Sequence, residues 1–314
     1  MVPLRLGTRG SALALWQSRH VAARLREAHP GLAIEEVIIQ TEGDRQSILP
    51  LQSLGERGVF VRQIEEALVA GRIDLAVHSL KDLPTVQPGG LAIAAVPPRH
   101  DPRDAVLTAD GKSLDDLSPG AVLATGSPRR RCQLLHARPD LATLPVRGNV
   151  DTRVRKLGEG KFDALILALA GIERLGITSV RVWPLPPSLC LPAVGQGALA
   201  IETREGDART RALVAPLKDD ATTRAVSAER SFLRRLGGGC LAPATAFARV
   251  EGDGIRMDAV VGDPDGRQLL RDRAEGEAAR GDALAEAMAV RMLDAGAGEI
   301  LARIRAETPD EGTA

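Results

Sequence analysis

Asp74-Leu75-Ala76-Val77-His78-Ser79-Leu80-Lys81-Asp82-Leu83-Pro84 is the stretch on which the fold turns. Leu75, Ala76 and Val77 form an apolar run with a β-branched member, entered through Gly71 and closed by Pro84. Without polar alternation, such a run reads as a parallel strand buried on both faces. Lys81 and Asp82 then fall just past its carboxyl end, where open α/β sheets carry their ligands. Two readings stand side by side. The pair is an exposed ion pair in a βα loop, or it is an acid held beside a cation in a cleft, its ionisation set by neighbours.

Upstream, residues 4–6 form a short strand, followed by Gly7-Thr8-Arg9-Gly10-Ser11 and a helical pattern that stops near Pro30. A serine cap after a glycine loop leaves amide groups pointing out of the helix start, a seat for an anion. Residues 34–40 read as the next strand. Residues 43–58 have glycine at both ends, Pro50 inside and weak periodicity, which marks a mobile flap over a site. An amphipathic helix over 60–69 returns the chain to Gly71.

Downstream, a second half echoes the first. A strand over 121–125 leads into Gly126-Ser127-Pro128-Arg129-Arg130-Arg131, with serine at the cap and proline at the first helical position. Val146 opens Arg147-Gly148-Asn149-Val150-Asp151-Thr152-Arg153 and another helix. Gly160-Lys161-Phe162-Asp163-Ala164-Leu165-Ile166 mirrors Gly71-Arg72-Ile73-Asp74-Leu75-Ala76-Val77, and Ala170-Gly171-Ile172-Glu173-Arg174 follows. Two like α/β halves facing each other across a cleft is the economical reading. Residues 96–103 and 191–198 read as paired crossings between them, the usual place for hinges. Beyond Ala221 a helix over 226–236 ends in Gly237-Gly238-Gly239-Cys240, a loop with room around its sulfur. Strands over 244–250, 255–261 and 268–273 are antiparallel. A closing helix over 281–306 breaks near Gly296-Ala297-Gly298.

Composition bounds what such a chain does. With 314 residues it divides into two or three domains, and 44% apolar content with only 2% aromatic makes the cores aliphatic. A formal charge of zero argues against general nucleic-acid binding. No apolar run reaches membrane-spanning length, and the start reads as no signal peptide. Three cysteines without a CxxC pair make neither a disulfide framework nor a zinc site, and the five histidines lack metal-ligand spacing. A reducing cytosol is the expected home.

Arginine supplies nearly all of the 41 basic residues. Those at strand ends are Arg9, Arg129, Arg130, Arg147, Arg153 and Arg174. Singly each is a surface solubiliser. Gathered at equivalent places in two facing halves they repel one another unless an anionic ligand joins them, and guanidinium forks suit carboxylates and phosphates. There is no Walker loop, and Gly195-Gln196-Gly197 is too short for a dinucleotide fingerprint. A polycarboxylate fits better than a nucleotide. Cys240 alone is an inert thiol, a nucleophile or a tether.

In these motifs the sequence resembles the porphobilinogen deaminase (hydroxymethylbilane synthase) family. The matching segments are Thr8-Arg9-Gly10-Ser11 with Ala14-Leu15-Trp16-Gln17, Ala76-Val77-His78-Ser79-Leu80-Lys81-Asp82, Asp101-Pro102-Arg103-Asp104, Ser127-Pro128-Arg129-Arg130, Arg147-Gly148-Asn149-Val150, residues 191–197, and Gly238-Gly239-Cys240. They occur in the family's order and spacing. The resemblance implies an α/β architecture of two type-2 periplasmic-binding-protein-like domains plus a small C-terminal α+β domain. The expected boundaries are 1–98 with 198–217, 99–197 and 218–314.

It also implies a transferase of porphyrin and heme biosynthesis that condenses four porphobilinogen molecules head to tail. Ammonia leaves at each round, and the product is the linear tetrapyrrole hydroxymethylbilane. The implied cofactor is dipyrromethane, joined by a thioether to Cys240. Asp82 is the implied catalytic acid, stabilising a cationic methylene-pyrrolenine and accepting the proton released afterwards. Lys81, Arg9, Ser11 and Ser127 hold carboxylates of cofactor or substrate, beside Arg129, Arg130, Arg147, Arg153 and Arg174. Arg57 and Phe60 close the flap. The implied enzyme is a cytoplasmic monomer with no nucleic-acid, membrane or obligate protein partner and no metal. Leu241 and Asp151 depart from the family's polar and basic surroundings and leave the local charge balance open. An anion-binding receptor on the same fold, which has no use for Cys240 on its glycine loop, and a transferase for phosphorylated substrates are the rival readings.

Overall fold

The computed structural model describes residues 2–41, 61–237 and 242–307. The expected flap with Arg57 and Phe60, and the Cys240 loop with Leu241, lie outside the described residues. Two compact units make up the chain: Met1–His100 with Gly197–Thr223, and Asp101–Gln196 with Arg224–Ala314.

The first unit is built on strands β1 (Leu4–Thr8), β2 (Ile34–Ile38), β3 (Leu75–Ser79), β4 (Leu91–Ala95) and a strand from far along the chain, Leu199–Arg204. Their order is β2, β1, β3, Leu199–Arg204, β4. The first three run parallel, and Leu199–Arg204 lies antiparallel between β3 and β4. The β3 run packs as its composition requires. Leu75 and Val77 point to the face covered by helix α1 (Ala12–Ala28), among Val21 and Leu25. Ala76 points to the other, covered by α2 (Arg62–Val69) through Ile64, Ala67 and Leu68. Each fully buried aliphatic side chain contributes about 2 kcal/mol. A polar residue here must therefore find a partner inside.

The second unit repeats the plan with β5 (Asp104–Thr108), β6 (Val122–Ala124), β7 (Ala142–Leu144), β8 (Ala164–Ala168) and β9 (Arg181–Pro184). The order is β7, β6, β8, β5, β9, with β5 antiparallel between β8 and β9. The echo between 71–77 and 160–166 is thus an echo of topology, since β3 and β8 each stand third in a parallel trio. Strands β4 and β5 flank the crossing at 96–103, a segment whose motif reading supplies neither strand. Leu199–Arg204, now β10, is the return crossing's own strand.

The C-terminal sheet, β11 (Ala244–Glu251), β12 (Gly254–Gly262) and β13 (Leu269–Glu277), is antiparallel throughout. Its alternate residues Ala246, Ala248, Ile255, Met257, Ala259 and Val261 join Phe232 and Met288 in one core. The strands run a few residues beyond the expected 268–273, because every residue of β13 pairs with β12. The expected helix break is present: a π-turn over Leu293–Ala297 carries Gly296 at φ 106°, open to glycine without a Cβ penalty.

This sheet docks on the second unit's α3 (Pro128–Ala137). His136 Nδ1 lies 2.9 Å from the Gly266 carbonyl oxygen, and Arg131 pairs with Asp265 at 2.7 Å. Gly266, at φ 72°, brings its α-carbon so close that an added Cβ would sit 2.5 Å from the His136 backbone nitrogen. Only glycine permits that approach.

Candidate active site

In the first unit β1 hands the chain to Arg9 and Ser11. Ser11 stands at φ −70°, ψ 147° and its Oγ accepts from the Ala14 N–H at 3.3 Å, so it caps α1. At the end of β3 the chain makes one 3₁₀ turn, Leu80–Asp82. The Leu80 N–H donates to the Ala198 carbonyl at 3.0 Å, and the Leu83 N–H donates back to Leu80 at 3.1 Å. Leu80 and Leu83 are buried on either side, which pins the turn and projects Lys81, half-buried, and Asp82, exposed.

Arg9, Ser11, Gln17, His78, Ser79 and Asp82 line one pocket, floored by apolar side chains including Ile64 and Val77. Lys81 is not among its lining residues. Three lining residues were not singled out in the sequence. Gln17 Nε2 donates to Ser79 Oγ at 2.8 Å, and His78 Nε2 lies 3.1 Å from Glu202 Oε2. The signal was a polar residue on an apolar stripe: Gln17 follows Leu13 and precedes Val21 at helical spacing, and His78 continues a doubly buried strand.

In the second unit, Ser127 caps α3, its Oγ 3.5 Å from the Arg130 N–H, with Pro128 at the first helical position. Arg129 and Arg130, expected among the cofactor-binding residues, are buried on Asp104. Arg129 Nη1 donates to Asp104 Oδ2 at 2.7 Å and to the Leu191 carbonyl at 2.6 Å. Arg130 Nε and Nη2 donate to Asp104 Oδ1 at 3.0 and 2.7 Å, and its Nη1 donates to the Ile166 carbonyl at 3.1 Å. Gln196 Nε2 adds a bond to Asp104 Oδ1 at 2.9 Å. Burial alone would push the Asp104 carboxyl up, but the two guanidiniums more than offset it and hold it well below the usual carboxylate range. The two arginines tie α3 to β5, β8 and the 191–196 crossing. They follow a strand end, as the sequence predicts, and the carboxylate they meet here is the chain's own Asp104.

The other cations behave differently. Arg147 follows β7, and Gly148, at φ 108°, turns its carbonyl to accept from Arg153 Nε at 2.7 Å at the start of α4 (Val150–Gly158). Arg174 is the last residue of α5 (Leu169–Arg174), the helix that follows β8. Burial pushes the Arg147 guanidinium down, and it pushes Arg174 down to about 10, with Glu173 acting in the opposite sense. Water-poor cations at strand ends gain most from an anionic ligand. Each unit thus carries a capping hydroxyl and guanidiniums suited to carboxylates: Ser11 and Arg9 in the first, Ser127, Arg147, Arg153 and Arg174 in the second. Asp82 is the acid that lines the first unit's pocket with Arg9 and Ser11. Cys240, expected as the tether, lies outside the described residues.

Comparison with known proteins agrees with this chemistry. A family model described as "Porphobilinogen deaminase, dipyromethane cofactor binding domain" matches residues 4–212, and one described as "Porphobilinogen deaminase, C-terminal domain" matches 223–294. A porphobilinogen deaminase of Syntrophotalea carbinolica is 48% identical over 301 residues, covering 96% of each chain. That of Syntrophus aciditrophicus is 48% identical over 298 residues, covering 95% of this chain and 97% of its own. Among solved structures, the effector-binding domain of a BenM variant is 16% identical with a TM-score of 0.41, covering 76% of this chain and 97% of that one.

Proposed function

The chain belongs to the porphobilinogen deaminase family, and from that premise we propose that Asp82 is its working acid. It is a hydroxymethylbilane synthase, a transferase that polymerises porphobilinogen into hydroxymethylbilane in tetrapyrrole biosynthesis. Its cofactor is dipyrromethane, which when bound supplies the pyrrole rings from which the product chain grows.

The observation that carries the reading is that Arg9, Ser11 and Asp82 line one pocket at the ends of two parallel strands. A pyrrole with acetate and propionate arms presents anions to Arg9 and Ser11 and its ring N–H to Asp82. Fixed there, the Asp82 carboxylate stabilises positive charge on the substrate as ammonia departs. The same oxygen atoms accept the proton that carbon–carbon bond formation releases. Lys81, Ser127, Arg147, Arg153 and Arg174 hold carboxylates of the cofactor and the lengthening chain, which gains negative charge with each unit. Arg129 and Arg130 stand beside them as cofactor-binding residues, anchored on Asp104, to which Gln196 of the 191–196 crossing also donates. Cys240 carries the cofactor on a thioether.

We take residues 1–98 with 198–217, 99–197 and 218–314 as the three domains that divide this labour. No helix among the described residues is long and apolar enough to cross a membrane. The working form is a monomer in the cytoplasm, without nucleic-acid, membrane or protein partner.

Asp82→Asn tests the assignment. The variant folds and carries its cofactor, while ammonia release falls about 10²- to 10⁴-fold, the range for loss of a general acid–base group. Asp82→Glu, which keeps the carboxylate at a shifted position, recovers part of the loss. Turnover of Asp82→Asn within tenfold of the parent removes Asp82 from the mechanism.

A further inference from the structure

The wall behind the Asp82 pocket holds ionisable groups that the reading above does not use. His78 stands opposite Ala200, and Glu202 opposite Ala76, so His78 and Glu202 are diagonal neighbours on one face of the β3–β10 pair. Glu202 is 0% exposed and His78 6%. One carboxylate oxygen of Glu202, Oε2, lies 3.1 Å from His78 Nε2. Helix α2 covers this face and brings Glu65, one position beyond the buried Ile64.

Two oxygens in this cluster are buried without a hydrogen-bond partner: Glu202 Oε1 and Glu65 Oε1. Each orphan of this kind is unfavourable, and two ionised carboxylates would add mutual repulsion. One hydrogen cures both faults if one carboxyl donates to the other. Burial pushes the Glu65 carboxyl up, the Glu202 charge pushes it further, and His78 pulls the other way.

Among the described residues, charged groups on the surrounding elements are engaged elsewhere. On α2, Arg62 pairs with Glu66 at 3.0 Å. Strand β4 has no charged residue, and Arg5 of β1 is committed to Asp74 at 2.7 Å. Arg204 of β10 donates to the Leu68 and Ile73 carbonyls and pairs with Asp74 and Asp207. Arg9 is the guanidinium among the residues that line the pocket.

We propose that Glu65 carries a proton in the resting protein and donates it to Glu202 Oε1, while Glu202 Oε2 accepts from His78 Nε2. The wall behind Asp82 then holds one negative charge instead of two, and that charge fixes the tautomer and plane of the imidazole lining the pocket. Glu65 is a positioning residue that acts through Glu202 on His78. The consequence for an acid-rich substrate is less repulsion at the site, which rests on the pocket being the one where porphobilinogen reacts. The proton itself does not depend on that reading.

The test is infrared spectroscopy of the resting holoenzyme at about pH 8, where ordinary carboxyls are ionised. The expected result is a protonated-carboxyl C=O band that shifts on exchange into D₂O and is missing from Glu65→Gln. It is missing from Glu202→Gln as well, because the new amide donates to an ionised Glu65; that variant makes the assignment if Glu65→Gln does not fold. Absence of the band from the parent overturns the proposal, and a water bridging two ionised carboxylates would give that result. A band that survives Glu65→Gln, placing the proton elsewhere, overturns it too. Neither outcome bears on whether Asp82 is catalytic, which turnover of Asp82→Asn decides separately.

Discussion

Replacing Asp104 by asparagine removes the negative charge on which two buried guanidiniums converge. Asp104 is 0% exposed, Arg129 5% and Arg130 6%, so water cannot take the carboxylate's place. The asparagine oxygen can accept from one arginine, but its amide group faces donors that have lost an acceptor. Breaking a buried pair from one side costs about 3–5 kcal/mol, most of it the uncompensated charge left behind. For a body of this size each kcal/mol moves the melting midpoint by about 2–4 °C, so the loss is about 6–20 °C. Calorimetric unfolding of the holoenzyme at fixed protein concentration reads it. Asp265→Asn, which removes the exposed Arg131–Asp265 pair, is the control, with a cost below about 1 kcal/mol.

The pH dependence follows from the direction of the Asp104 shift. Its folded-state carboxyl is held below the ordinary value near 3.8, so the stabilisation is complete above that value and disappears as pH falls through the lower, folded one. The gap between parent and variant therefore stays constant from neutral pH to about pH 4 and closes only below it. An Asp104→Asn protein melting within about 2 °C of the parent, or a gap that closes between pH 7 and 5, would refute the buried-charge account.

Further outcomes follow from the same geometry. Gly266→Ala should destabilise by more than about 1 kcal/mol, because the methyl group meets the backbone of α3 at a positive φ; an unchanged melting curve would contradict the docking of the C-terminal sheet. Burial pushes the Cys132 and Cys190 thiols up to about 12, so both should resist alkylation at about pH 8 until the protein unfolds. Modification of either at the rate of an exposed thiol would count against the packing around Asp104. Arg174→Gln should raise the KM for porphobilinogen by tenfold or more with a smaller effect on melting, since burial, which pushes its guanidinium down to about 10, strengthens a charge-assisted bond to a substrate carboxylate. A large stability loss with an unchanged KM would make Arg174 structural.

Much of this was legible because burial on both faces of a parallel sheet leaves a plain signature. The run at 75–77 and its echo at 164–166 announced two sheets of one topology, and serine before a helix at 11 and 127 announced two caps. Position along the chain says less about direction. Arg129 and Arg130 follow a strand end as Arg147 does, yet they turn inward, because Asp104 opens the fully buried strand β5 and must be neutralised. An aspartate before Ala105-Val106-Leu107 was the available signal, and its partners come from sequence positions 25 and 26 residues away. His78 was quoted with its motif but given no task; a histidine inside a buried strand calls for a partner that only the β3–β10 register reveals. Glu65 was invisible because helical spacing alone places it beside an apolar face, not against another acid.

Intact-mass spectrometry before and after porphobilinogen is added bears most directly on the claim that Cys240 tethers the growing chain and Asp82 extends it. The account predicts that the parent carries a two-pyrrole adduct and gains further pyrrole units. Asp82→Asn should carry the same adduct and gain none on the parent's timescale. A parent without the adduct, or an Asp82→Asn protein that adds units as fast as the parent, would contradict it.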